Sequence, residues 1–240
     1  MRLAALLGLP VVDRGGRRLG SVHDVRLVQD GPEIGAFGAA FTVHSLVVGA
    51  ASVGTRLGLE RKDVKGPWPL VAAMRRLHEG RVFVHWTEVW SIEQDRIRIA
   101  RTVPPGEIHV GPDHGPPPGR MLDAGLALLD RQLVDAGGRL AGNVDDLELA
   151  FPEEPGGTPI ASAILAGPGS LAHRIGGRPG AWIDAVQQRL RADDAPPPRI
   201  SFGVVKSIGS DVRLSVGRED LGVMWFEDWA RRIVERLPGA

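Results

Sequence analysis

Val12-Asp-Arg-Gly-Gly-Arg-Arg-Leu-Gly-Ser-Val-His-Asp-Val-Arg-Leu27 returns, without a gap, as Val134-Asp-Ala-Gly-Gly-Arg-Leu-Ala-Gly-Asn-Val-Asp-Asp-Leu-Glu-Leu149. Val12/Val134, Asp13/Asp135, Gly15/Gly137, Gly16/Gly138, Arg17/Arg139, Gly20/Gly142, Val22/Val144, Asp24/Asp146 and Leu27/Leu149 are identical. Self-similarity of this kind decides architecture before any local reading does. Asp-x-Gly-Gly supplies the positive-φ positions of a tight hairpin turn, so each copy opens as strand, turn, strand. Gly20 and Gly142 break the alternation of the second strand and mark a bulge or bend.

Working outward, Ala40–Val48 and Ile160–Leu165 read as further extended runs. Gly49/Gly167, Ser52/Ser170, Arg56/Arg174 and Gly58/Gly176 extend the match. A helix follows in each copy. Leu70, Met74 and Leu77 recur at helical spacing after Pro67; Trp182, Ala185 or Val186, and Leu190 do so after Pro179-Gly180. Arg81–Ile99 and Ile200–Val216 close the copies as strand pairs, with Ser91-Ile92/Ser207-Ile208 and the turns at Asp95/Asp211 in matching places. Arg218–Leu237 reads as an amphipathic helix, with Leu221, Trp225, Trp229 and Ile233 four apart. The expected organisation is a first repeat over 1–102, a Pro/Gly-rich linker over 103–119, and a second repeat over 120–240 ending in a helix at 219–237. The linker holds six prolines and four glycines and reads as stiff and short of apolar anchors.

Composition narrows the possible functions. The 240 residues carry 29 Lys+Arg against 29 Asp+Glu, a formal net charge of zero. That balance argues against bulk attraction to nucleic acid or anionic lipid, and leaves room for a local patch. Cysteine is absent, which rules out disulfides, zinc–thiolate sites and thiol catalysis and fits a cytoplasmic protein. Met1–Pro10 does not read as a signal peptide. Ile34–Gly54 is uncharged and long enough to imitate a membrane span. His44 and Ser45 at its centre, its glycines, and the shorter, Pro168-interrupted Ile160–Ala172 favour buried strands plus a turn.

The duplicated unit resembles a PRC-barrel domain. The likeness rests on Leu9-Pro-Val-Val-Asp13, Gly15-Gly16, Leu19-Gly20-Ser21-Val22 and Asp24-Val25. It rests again on Leu133-Val134-Asp135, Gly137-Gly138, Gly142-Asn143-Val144 and Asp146-Leu147. The closing pattern is similar to Val84–Ile92 and to Val204–Val212. The resemblance implies a mainly β fold of two tandem small PRC-type β-barrels; the chain departs from the family in a helix inserted in each, over Val53–Leu77 in the first, and in a C-terminal amphipathic helix. It implies a bacterial protein-binding module with no catalytic residues to carry over; fold alone is weak warrant for function.

No catalytic, cofactor or metal constellation emerges from the residues. Asp24 and Asp146 match each other and would need a shared cleft for acid–base work; repetition favours a role in the shared fold. His109, Asp113 and His114 carry metal-binding chemistry on a segment without a scaffold. His44, His78 and His85 are scattered, and Gly31–Gly38 lacks the Lys-Ser/Thr of a phosphate loop. The candidate partner-binding residues are a basic cluster, Arg56, Arg61, Lys62, Arg75 and Arg76, and the terminal-helix pair Trp225 and Trp229. That helix either caps a barrel edge or forms an interface. The expectation is a non-catalytic adaptor whose partner is another protein. An RNA- or ribosome-associated factor and an enzyme with a site between the barrels stand as alternatives. Peripheral, but not integral, membrane association fits, and the oligomeric state stays open.

Overall fold

The computed structural model describes residues 1–49, 81–112, 117–154, 156–167 and 198–221. The inserted helices, the C-terminal helix at 219–237 beyond Leu221, and Arg56, Arg61, Lys62, Arg75, Arg76, Trp225 and Trp229 lie outside the described residues. Among the described residues no helix is long and apolar enough to cross a membrane.

The first copy contributes β1 (Pro10–Val12), β2 (Arg18–Ile34), β3 (Gly38–Gly49), β4 (Val82–His85), β5 (Val89–Ile92) and β6 (Ile97–Ile99). β7 (His109–Val110), β8 (Met121–Asp123) and one helical turn, α1 (Ala124–Ala127), follow. The second copy supplies β9 (Gln132–Val134), β10 (Leu140–Ala150), β11 (Ile160–Gly167), β12 (Arg199–Ser201), β13 (Val205–Ile208) and β14 (Val212–Leu214). Strand order repeats: β5-β6-β1-β2-β3-β4 in the first half and β13-β14-β9-β10-β11-β12 in the second. Even the unusual parallel pairs recur, Val11 with Ile97 and Leu133 with Val212.

Bulges recur as well. Against β3, register slips past His23 and past His44; against one another, β10 and β11 slip past Asp145 and Ser162. Trp90 and Lys206 are skipped in the same way. Extra residues at matched points bend the two copies alike.

The opening turn forms as the sequence dictates. Gly16 and Gly138 take φ of 82° and 79°. Asp13 Oδ1 accepts from the Arg17 N–H at 2.9 Å, and Asp135 Oδ1 from the Arg139 N–H at 2.8 Å. The second carboxylate oxygens reach forward to the Val103 N–H and the Arg218 N–H. Both aspartates are buried. Burial pushes Asp13 up, but the N–H donors of Val103, Arg17 and Gly15 and the Arg17 charge outweigh it and hold it below the usual carboxylate range. The Arg139 N–H is the main cause of the same lowering at Asp135. A Cβ on Gly20 would collide with the Gly49 carbonyl, so β2 and β3 approach closely only because that position is glycine.

Two features go beyond the sequence-based expectation. The described strands of both copies join in one large, unclosed fourteen-stranded sheet. The join is Thr42 paired with Ile160. Leu46 pairs with Val25 and Val84, while Ile164 pairs with Leu147 and Ile200. Leu46 and Ile164 are therefore equivalent, and so are Thr42 and Ile160, four residues earlier. An antiparallel bridge between equivalent residues lies on an approximate two-fold axis. Buried side chains of both halves accordingly share one apolar cluster.

The expected linker also carries structure. β7 adds to β4 in parallel, and Val103 and Val110 are buried. Its few apolar residues were enough to anchor it, because the neighbouring β4 edge offered backbone partners.

Asp135→Ala would strand the N–H groups of Arg139 and Arg218 and is expected to lower the unfolding free energy by about 2–3 kcal/mol. Urea titration measures it. A loss under roughly 0.5 kcal/mol would show that this carboxylate does not hold the turn.

Candidate functional site

The repeated aspartates sit at the two seams between the halves. α1, at the start of the second copy, lies against the first copy, where Asp24 accepts from the N–H groups of Gly125 (2.6 Å) and Leu126 (3.2 Å). The 3-10 turn Leu3–Ala5, at the start of the first copy, lies against the second, where Asp146 accepts from the Ala4 N–H at 3.0 Å. Ala4 and Leu126 occupy the same repeat position. Each aspartate also accepts from the N–H of the residue after it, Val25 at 2.7 Å and Leu147 at 2.8 Å. The strand before each turn follows the exchange: β8 pairs with β2, and Arg2 bridges to Glu148.

A third contact is reciprocal too. The tip after β2 presses on the 3-10 turn Phe202–Val204, with Phe202 against Phe37 and Phe41 at 5.6 and 6.3 Å between ring centroids. The tip after β10 meets the matching turn Trp86–Glu88. There Phe151 lies 5.9 Å from Trp86, whose Nε1 donates to the Gly157 carbonyl at 3.3 Å.

Asp24 and Asp146 thus hold backbone donors at two separate seams, as the reading of repeated residues anticipated. They differ in setting. Burial, with the nearby Asp123 charge adding to it, pushes Asp24 up to about 6 in spite of its three N–H donors.

Residues that are not repeated draw attention to a different place. Because of the bulge at His44, this imidazole and His85 come together, ring centroids 4.8 Å apart and edge to face. His85 Nδ1 lies 2.7 Å from Thr87 Oγ1 and accepts from the Thr87 N–H. On the neighbouring strands Phe83 stacks on His109 at 5.2 Å, and the Arg26 guanidinium lies 4.5 Å above the Phe83 ring. Arg26 is anchored by Asp123 at 2.8 Å. In the second copy the matching positions hold Ser162, Ser201, Arg199 and Glu148, and the last two form an ion pair at 2.6 Å. Ser201 caps its turn through the Gly203 N–H much as His85 caps its own.

The shared fold therefore does not need the imidazoles or the aromatic ring. They make a face of π surface, imidazole nitrogens and one guanidinium, half-buried except for the exposed His109. Sequence reading left His44, His85 and His109 apart because the bulge and the β4–β7 pairing that gather them are not visible as periodicity. His114 and Asp113 lie outside the described residues. Among the described residues no group of three or more His, Asp or Glu is placed to hold a metal ion. The chain matches no protein-family model, and no curated protein matches it.

Asp24 gives a pH signature. A carboxyl raised in the folded state binds its proton more tightly there than in the unfolded chain, so its contribution is greatest below pH 4 and is lost as pH rises through about 6. Compared with Asp24→Asn, the wild type is expected to lose about 2–3 kcal/mol of unfolding free energy between pH 4 and pH 7. Paired denaturant titrations read this difference, and a gap that stays constant with pH would contradict the assignment.

Proposed function

We propose that the chain is a non-catalytic adaptor of the bacterial cytoplasm, built from two tandem PRC-type β-barrel units, and that another protein docks on the unrepeated face of its first unit. The Asp-Gly-Gly openings and the repeated strand order support the PRC-type reading. The observation that carries the functional reading is the division of labour between residues. The repeated carboxylates, the natural acid–base candidates, are occupied by backbone N–H groups at the seams. Arg26, His44, Phe83, His85 and His109 gather instead on a face where the matching described residues of the second copy are Glu148, Ser162, Arg199 and Ser201. Guanidinium and aromatic groups are the side chains that most often carry binding energy at protein interfaces.

The test removes the three imidazoles, using at positions 44 and 85 the serine that the second copy carries there. His44→Ser and His85→Ser, combined with His109→Ala, are expected to leave the unfolding free energy within about 1 kcal/mol of the wild type. They should weaken capture of the host partner, measured by affinity pull-down and then with the purified partner, by roughly tenfold or more. Capture unaffected by the triple variant would reject the docking face. Salt-sensitive binding of ribosomal RNA, with no protein partner retained, would reject the adaptor in favour of an RNA-associated factor.

A further inference from the structure

We infer that the two halves are each other's specific binding partner, pairing as a two-fold heterodimer that the peptide connection joins but does not hold together, with an exchanged charge pair that makes each half prefer the other over a copy of itself. This goes beyond the adaptor reading: the two share Arg26, but the association tested here is between the halves and needs no outside partner.

Three observations carry it. The seams are isologous: Asp24 takes the start of the second copy as Asp146 takes the start of the first. Thr42 and Ile160 pair on the approximate axis. The hairpin tips seat reciprocally, Phe202 with Phe37 and Phe41, and Trp86 with Phe151. Contacts of this symmetry are what a homodimer of one repeat would make.

Charge then breaks the symmetry. Positions 26 and 148 are equivalent, and each faces the strand that arrives from the other half. Arg26 meets Asp123, its direct partner in the β2–β8 register, at 2.8 Å. Glu148 meets Arg2 across their bridge. Glu148 is held below the usual carboxylate range chiefly by Arg199, with the Arg2 charge contributing. In the register of the Arg2–Glu148 bridge, a first half paired with itself would set Arg2 against Arg26. In the register of β8 on β2, shifted by one residue, a second half paired with itself would set Asp123 against Glu148. Both like-sign pairs are penalised, and opposite-sign pairs form only in the mixed assembly.

The experiment starts from the full chain. A protease site is inserted directly after Pro112, which is exposed, and the purified, folded protein is cut there. Size-exclusion chromatography with light scattering is expected to give one particle near the intact 25.7 kDa, holding both fragments in equal amounts. In the cut chain Arg26→Glu should weaken the association roughly tenfold, and adding Asp123→Arg should recover at least about threefold of that loss. Circular dichroism of the uncut variants confirms that they fold. The inference fails if the cut wild type separates at micromolar concentration. It also fails if same-half pairs accumulate in the mixture, or if the double variant associates no better than Arg26→Glu alone.

Discussion

Backbone N–H groups at the first turn of a helix have no partner within that turn, and leaving them bare inside a protein is costly. Here the acceptor comes from the opposite half at both seams. Asp24 receives α1, and Asp146 receives the turn Leu3–Ala5. Much of the architecture follows from this. Once the leading segment of each copy is committed to its neighbour, the strand before that turn must pair there as well, β8 on β2 and Arg2 on Glu148. The long strands β3 and β11 are then brought close enough to bridge at Thr42 and Ile160, and one apolar cluster fills behind them. The segment at 103–119 cannot hang free either, because Val103 completes the Asp13 turn and β7 extends β4.

Local chemistry was legible in the sequence where one residue type satisfies one need. The Asp-x-Gly-Gly turns declared themselves because the carboxylate and the positive φ are both required within four residues. The strands around Val11, Leu27, Leu46 and Ile164 read correctly from their apolar spacing. The exchange did not, and the duplication itself hid it. When two units share a sequence pattern, the surface a segment would use on its own unit is nearly the same as the surface on the other. No count of matching residues separates packing within a unit from packing between units. Which unit a leading segment packs on therefore stays hidden until registers such as Arg26 to Asp123 are known.

The histidine face was missed for another reason. Reading a strand by alternation assumes a period of two, and a bulge slips that period by one residue. His44 sits at such a slip, so alternation assigns it a neighbourhood that it does not have. His109 reached Phe83 only through a two-residue strand inside a proline-rich stretch, a context that compositional reading assigns to a spacer. The basic cluster at Arg56–Arg76 and the pair Trp225 and Trp229 fall outside the described residues, so the candidate site rests on different side chains from those that the sequence put forward.

Duplication also sorts constraint from opportunity. A residue kept in both copies at an inward or seam position is explained by the fold it builds: Asp13 and Asp135 at the turns, Asp24 and Asp146 at the seams. A residue that differs between copies at an equivalent, sterically similar position cannot be explained that way. Ser201 caps its turn as His85 does, so imidazole is not needed for the cap. Glu148 and Arg199 satisfy each other where Arg26 and Phe83 do, so the aromatic ring is not needed for the strand pair. Joining two such units in one chain removes the symmetry requirement a homodimer would impose, under which any change on one face appears on both. One half is then free to change side chains on a face while the other keeps the scaffold.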